Sequence, residues 1–291
     1  MNGSLALSNG VLYVGRHEQT AHVRPFDLDG RALGPGFSFR GPAGEPCALS
    51  GLAVDCDHHL WVADGASPRV RAFSLFGREV AAFGGSANPF ADERGALGSP
   101  AGLALEAGDE DACLLVASSG RRRHAVQRFA LDGRWLDSLR PEGSPLGRFN
   151  GVAGVAARGP MAYVCEARAG RIQVFRDGDF HFLIRVPVVV AGRFEPVAVA
   201  PLEDGRLVVA TAGTHSSLLL LDSVGRLQRV LAECGDGPGQ VREPGDVVLE
   251  DGPGQTQGRL AVIDQDGDRV QVFTLQGQCF GELEELPGQA L

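Results

Sequence analysis

Short apolar blocks ending in valine recur along the chain at nearly constant spacing. They are Leu12-Tyr13-Val14, Leu60-Trp61-Val62, Leu114-Leu115-Val116, Ala162-Tyr163-Val164, Leu207-Val208-Val209 and Leu260-Ala261-Val262. Their final valines step by 48, 54, 48, 45 and 53 residues. A second anchor has the form F-x-x-x-G and appears at Phe26–Gly30, Phe73–Gly77, Phe129–Gly133 and Phe273–Gly277. Leu221–Gly225 replaces the Phe, and Phe175–Gly178 is one residue shorter. Those glycines step by 47, 56, 45, 47 and 52, in phase with the valines. Two anchors that hold one phase through six copies define an internal repeat.

Each copy parses into four strands, most clearly over residues 51–83. Gly51-Leu52-Ala53-Val54 is short, apolar and built of small residues. Leu60-Trp61-Val62-Ala63 is aromatic and β-branched, and Val70-Arg71-Ala72-Phe73 alternates apolar with polar as a half-buried strand does. Gly77 supplies a tight turn, and Glu79–Phe83 returns as the fourth strand. No stretch carries a sustained 3.6-residue apolar stripe, so helices should be few. Four strands in a repeat of about 50 residues predict a blade of a β-propeller. A mean step of 49.6 in 291 residues leaves room for six. The expected architecture is an all-β, six-bladed β-propeller of four-stranded antiparallel blades, one domain over 1–291. Its blades fall near 1–40, 49–84, 100–140, 152–185, 196–232 and 244–284. Residues 1–8 read as the innermost strand of the first blade and Cys279–Leu283 as the outermost of the last. No strand is then exchanged between the chain ends, and closure should rest on blade packing and the tail Glu284–Leu291.

The segments Gly51-Leu52-Ala53-Val54-Asp55, Leu60-Trp61-Val62-Ala63-Asp64 and Arg69-Val70-x-x-Phe73 together resemble one NHL repeat. Ala261-Val262-Ile263-Asp264 followed by Arg269-Val270-Gln271-Val272-Phe273 is similar. The fourth copy keeps Arg171-Ile172-Gln173-Val174-Phe175 but has Glu166 for the Asp, and the fifth has Thr211 there and Ser217–Leu221 in place of the Arg-Val-x-x-Phe. The resemblance covers essentially the whole chain and implies that ligands meet the face carrying the loops between second and third strands. It is nearly silent on function, which resides in sites grafted onto the scaffold.

Composition narrows the chemistry. All 27 basic residues are Arg, so a Schiff-base or P-loop lysine is excluded. A formal charge of −9 disfavours a broad nucleic-acid surface. The first ten residues lack a basic and apolar leader pattern, and the longest apolar runs, Val186–Ala191 and Leu218–Leu221, are far too short to span a bilayer. A cytoplasmic location without membrane contact is the expectation. Cys47, Cys56, Cys113, Cys165, Cys234 and Cys279 show no metal-binding spacing and are expected as free thiols that pack as small hydrophobes.

Three candidate sites stand out. Arg121-Arg122-Arg123-His124 on a loop tip can grip carboxylates through bidentate forks, with Arg16 and Arg168 on neighbouring loops as further contacts. Asp64, Glu166, Asp264, Asp266 and Asp268 are expected to break up any continuous positive surface there. Asp264-Gln265-Asp266-Gly267-Asp268 resembles the start of a calcium loop but lacks the closing glutamate, which an ordinary Asp/Gly turn also explains. Asn150, Glu195 and Asp246 precede or open innermost strands of three successive blades, where lactonase-like six-bladed enzymes hold a divalent ion. The seven histidines, His17, His22, His58, His59, His124, His181 and His215, form no zinc-type spacing, and no G-x-S-x-G elbow occurs. The sequence therefore leads to a non-enzymatic NHL-like propeller, without a cofactor, that binds another protein through its loop face, an acidic one being the partner such arginines suit. Phe37, Phe39, Phe90 and Phe149 are expected anchors. The alternative is a metal-dependent hydrolase or lyase with one calcium or magnesium at the channel mouth. RNA binding is the poorest of the three readings.

Overall fold

A computed structural model describes residues 2–17, 20–41, 43–85, 93–106, 112–119, 125–141, 149–187, 194–250, 258–265 and 269–283. These form six four-stranded antiparallel sheets, each built from consecutive strands and arranged as the blades of a propeller. The innermost strands are Asn2–Ser8, Leu49–Val54, Pro100–Glu106, Val152–Arg158, Phe194–Pro201 and Pro244–Glu250. The outermost are Phe37–Phe39, Glu79–Gly84, Trp135–Ser138, Asp179–Arg185, Leu227–Ala232 and Cys279–Glu282. The only helical element among the described residues is a single 3-10 turn, Ala167–Ala169. No described helix is long and apolar enough to cross a membrane.

The valine anchors lie at the centre of the second strands and are buried between blades, Val62, Val164, Val209 and Val262 at 0% exposure. The Phe anchors of the third strands pack in the same layers, with Phe73, Phe129, Phe175 and Phe273 at 2% or less. The core is therefore a set of slabs, one between each pair of blades, as in other stacked-repeat folds.

The turn after each third strand shows why glycine recurs there. Gly30, Gly77, Gly133, Gly178, Gly225 and Gly277 all have φ between 79° and 91°, a region that side chains rarely enter. Space is a second constraint, since a Cβ on Gly77 would lie 2.7 Å from Phe37, on Gly133 2.7 Å from Phe83, and on Gly225 2.4 Å from Ile184. Phe37, Phe83 and Ile184 belong to the outermost strand of the preceding blade. Each hairpin thus seats its glycine against the blade before it.

The ring closes without a shared strand, because the first and last blades each use four consecutive strands. A cluster including Leu5, Leu12 and Phe26 of the first blade and Ile263, Val270 and Leu283 of the last fills the seam. Gly30 faces Leu283 across it, and Arg259 donates to Asp29 at 2.9 Å on the surface. The tail segment 284–291 lies outside the described residues.

Candidate functional site

Strand order places the loops between second and third strands, and the loops between blades, at one end of the propeller. The hairpins between third and fourth strands lie at the other. On the loop end, the acidic residues of the repeat are structural. Asp64, Glu166 and Asp264 stand two residues after the anchor valines and are 1% or less exposed. Asp64 accepts the backbone N–H groups of Ala48 and Ala66 at 2.9 and 3.0 Å and the Ser67 hydroxyl at 2.6 Å. Glu166 accepts Asn150 N–H at 2.6 Å, Arg171 Nε at 2.5 Å and Gln173 Nε2 at 2.8 Å. Asp264 accepts the N–H groups of Arg242 and Glu243, the nearer at 2.7 Å, and faces Arg269 Nε at 3.3 Å. Each carboxylate pins the incoming inter-blade loop to its own blade. The expectation that Asp64, Glu166 and Asp264 break up a positive surface is corrected: they are buried acceptors whose hydrogen bonds are already made.

A second clamp was not legible in the sequence. Gln127 accepts Gly95 N–H at 2.8 Å and donates to the Ala96 carbonyl at 2.7 Å. Gln271 does the same to Gly239 N–H at 2.9 Å and the Gln240 carbonyl at 2.7 Å. Arg71, at the equivalent place in the second blade, donates to the Arg40 carbonyl at 2.7 Å and lies 4.8 Å from the Phe73 ring centroid. These polar residues alternate with apolar ones as a solvent-facing row would, yet they are 6% exposed or less.

The remaining sequence candidates separate. Arg121, Arg122, Arg123 and His124 lie outside the described residues, as do Phe90, Asp266 and Asp268. Arg168 is exposed on the 3-10 turn, and Arg16 is half-buried at the end of its strand. Phe39 is 7% and Phe149 0% exposed, packed on Phe73 and Phe175 at centroid distances of 4.7 and 6.1 Å, while Phe37 is half-buried 5.6 Å from Phe73. Phe39 and Phe149 are core residues and not surface anchors. Cys47, Cys113 and Cys165 are buried, and burial pushes the first two thiols up to about 11 and about 12. Cys56 and Cys234 are exposed, contrary to expectation. His17 has its Nδ1 buried without a hydrogen-bond partner, and burial holds the ring below the ordinary imidazole value against the opposing pull of Leu49 and Asp64.

Along the axis the six innermost strands enclose a channel of about 360 Å³. Each of these strands lies at one end of its sheet, so its unpaired edge faces the void. Pairing with the second strands puts Ser4, Gly51, Gly102, Gly154, Ala198 and Asp246 at one level, opposite Gly15, Ala63, Ala117, Cys165, Ala210 and Ile263. A Cβ on Gly51 would lie 2.7 Å from Leu103 N, and one on Gly154 2.3 Å from the Val197 carbonyl oxygen, both on the next blade. Glycine lets neighbouring inner strands approach backbone to backbone there. Between the last and first blades a carboxylate intervenes instead. Asp246 Oδ2 accepts the Ser4 hydroxyl at 2.7 Å and Leu5 N–H at 2.9 Å, and Oδ1 accepts Val247 N–H at 2.8 Å.

This geometry does not fit the divalent site suggested for Asn150, Glu195 and Asp246. Asp246 serves the seam, and the backbone N–H of Asn150 is held by Glu166. The Asn150 Oδ1 is buried without a hydrogen-bond partner. Among the described residues no three His, Cys, Asp or Glu side chains group to hold a metal ion.

No protein-family model matches the chain, and no curated protein matches it by sequence. Solved structures do match. A streptogramin B lyase is similar over 96% of this chain and 81% of its own, at 13% identity and a TM-score of 0.61. Virginiamycin B lyase from Staphylococcus aureus gives 12% identity and 0.59, over 96% of this chain and 83% of its own. The WD40 β-propeller domain of Doa1 gives 12% and 0.58, over 96% and 80%. At these identities the likeness shows the fold. The protein is a six-bladed β-propeller.

Proposed function

We propose that this propeller is a non-enzymatic, NHL-like platform that binds another protein. The observation that carries the reading is Phe76. It sits at the tip of a hairpin and is 96% exposed. The same turn position in the other blades holds Asp29, Asp132, Asp177, Val224 and Gln276. The turn itself therefore makes no demand for an aromatic, and an exposed aromatic is a typical interface anchor. Leu75 and Val80 beside it in sequence are also exposed. Just past the turn glycine, Arg31, Arg78, Arg134 and Arg226 are exposed on four blades among the exposed Asp29, Asp132, Asp177 and Glu79, a mixed-charge end whose arginines can pair with a partner's carboxylates. A further similar structure is that of BBS1N in complex with ARL6DN, at 12% identity and a TM-score of 0.54 over 91% of this chain and 73% of that one. No cofactor enters the reading, and a cytoplasmic setting suits it.

The lyase-named neighbours favour a second reading, an enzyme, which the sequence suggests as a hydrolase or lyase with one divalent ion at the channel mouth. The two are separated by comparing Phe76→Asp, which installs the residue that three neighbouring turns carry, with the parent protein. Under the platform reading, mass spectrometry of proteins retained from the native lysate loses at least one acidic partner with the variant. It also finds no stoichiometric divalent metal in protein purified without chelators. An unchanged retained set together with one metal per chain would replace the platform by the enzyme.

A further inference from the structure

Asp246 and Arg158 are the two charged residues that line the axial channel; the rest of the lining is glycine, alanine, valine, leucine, proline and two serines. They sit at opposite ends of it. Asp246 stands near the start of its innermost strand, beside the loop end, and Arg158 closes another innermost strand at the hairpin end. Four residues of extended strand separate Arg158 from Gly154, which shares the level of Asp246, a span of about 13 Å. Arg158 donates to the Pro201 carbonyl at 3.1 Å. Asp246 has no Arg or His paired with it among the described residues, and its three hydrogen bonds all come from neutral donors.

A carboxylate offers about four acceptor positions, so one remains open, on Oδ1. A neutral asparagine could accept the Ser4 and Leu5 bonds on its one oxygen but would turn its NH2 toward Val247 N–H and lose the third. No Arg or His among the described residues offsets this charge, and a half-buried carboxylate that lines a channel is stabilised by a counter-ion there. A hard divalent ion gathers several oxygen ligands, commonly more than one carboxylate, and this level of the channel supplies a single carboxylate facing three glycines. A singly charged group with three donors fits better: its charge meets Asp246, its other N–H groups meet edge carbonyls, and its carbon chain lies on the aliphatic wall.

We propose that the channel binds a small primary ammonium compound, a protonated amine on a short aliphatic chain, entering from the loop end with Asp246 as its counter-ion. A channel of 360 Å³ falls in the lower part of the range for small-molecule pockets.

Titration calorimetry with n-butylammonium, n-butanol and magnesium, on the parent protein and on Asp246→Asn, tests this. The expected result is binding of the ammonium to the parent protein, about tenfold or more weaker in the variant, with no comparable heat from the alcohol. Equal affinity for ammonium and alcohol in the parent protein would overturn the proposal, and that comparison stands even if the variant does not fold. So would ammonium binding that Asp246→Asn leaves unchanged, or magnesium binding that it abolishes.

Discussion

Asp246 stands at the level where three other blades carry glycine, and its protonation can be read out. Burial pushes its carboxyl above the ordinary value of 3.8, with the hydrogen bonds from Leu5, Ser4 and Val247 pulling the other way. A carboxyl whose folded-state value is raised contributes most stability below its unfolded value and loses that contribution as pH rises through the folded one. Asp246→Asn should therefore gain on the parent protein as pH rises from about 3.8 toward neutrality. Denaturant midpoints of the pair across that range measure it; a parent protein that gains on the variant with rising pH would show that the hydrogen bonds outweigh burial. Residues of this kind were only partly legible. The turn glycines were, because a positive φ admits few alternatives. Asp246 was noticed as an acid near the axis, but its contact with Ser4 joins positions 242 residues apart, and no local pattern encodes that.

At the scale of elements, the repeat is held by polar clamps on the inter-blade loops as much as by apolar slabs. Period and alternation revealed the strands and their order, since each strand buries a face fixed by its pairing. The clamps stayed hidden because a Gln or Asp in an alternating strand reads as solvent-facing until a neighbouring loop covers it. Removing one acceptor leaves several buried donors unsatisfied at once. Glu166→Ala removes the acceptor that Asn150 N–H, the Gln173 amide and Arg171 share, and the loss of a buried charged partner should destabilise by about 3–5 kcal/mol. Gln retains one acceptor oxygen, so Glu166→Gln should lose less. Hydrogen exchange at residues 149–152 should accelerate in the Ala variant ahead of global unfolding; unchanged protection there would place the loop's hold elsewhere.

On the scale of the whole molecule, each blade is complete within a contiguous stretch of chain, and all blade contacts run between neighbours. The seam between the last and first blades differs from the others in having no connecting loop among the described residues. It relies on the apolar cluster, the Asp29–Arg259 pair and the Asp246 contacts. The inter-blade loop before Leu49 is, in this sense, interchangeable with the seam. A chain permuted to begin at Leu49, with residue 283 joined to Asn2 by a flexible linker, should fold to the same sheets and give the parent's circular dichroism spectrum. A permutant cut inside a blade, between Asp64 and Arg69, should be the less stable of the two, because it divides a hydrogen-bonded sheet. Equal stability would mean that the sheets are not the cooperative units.

The unpaired edges around the axis carry a consequence of their own. Six strands turn their free peptide groups toward one narrow column of space, and hydrogen-bonding groups in such a place need partners. That column is best regarded as a thread of solvent built into the molecule. Whatever enters it must replace water at ordered amides, so polar heads with short tails are admitted on better terms than greasy ones.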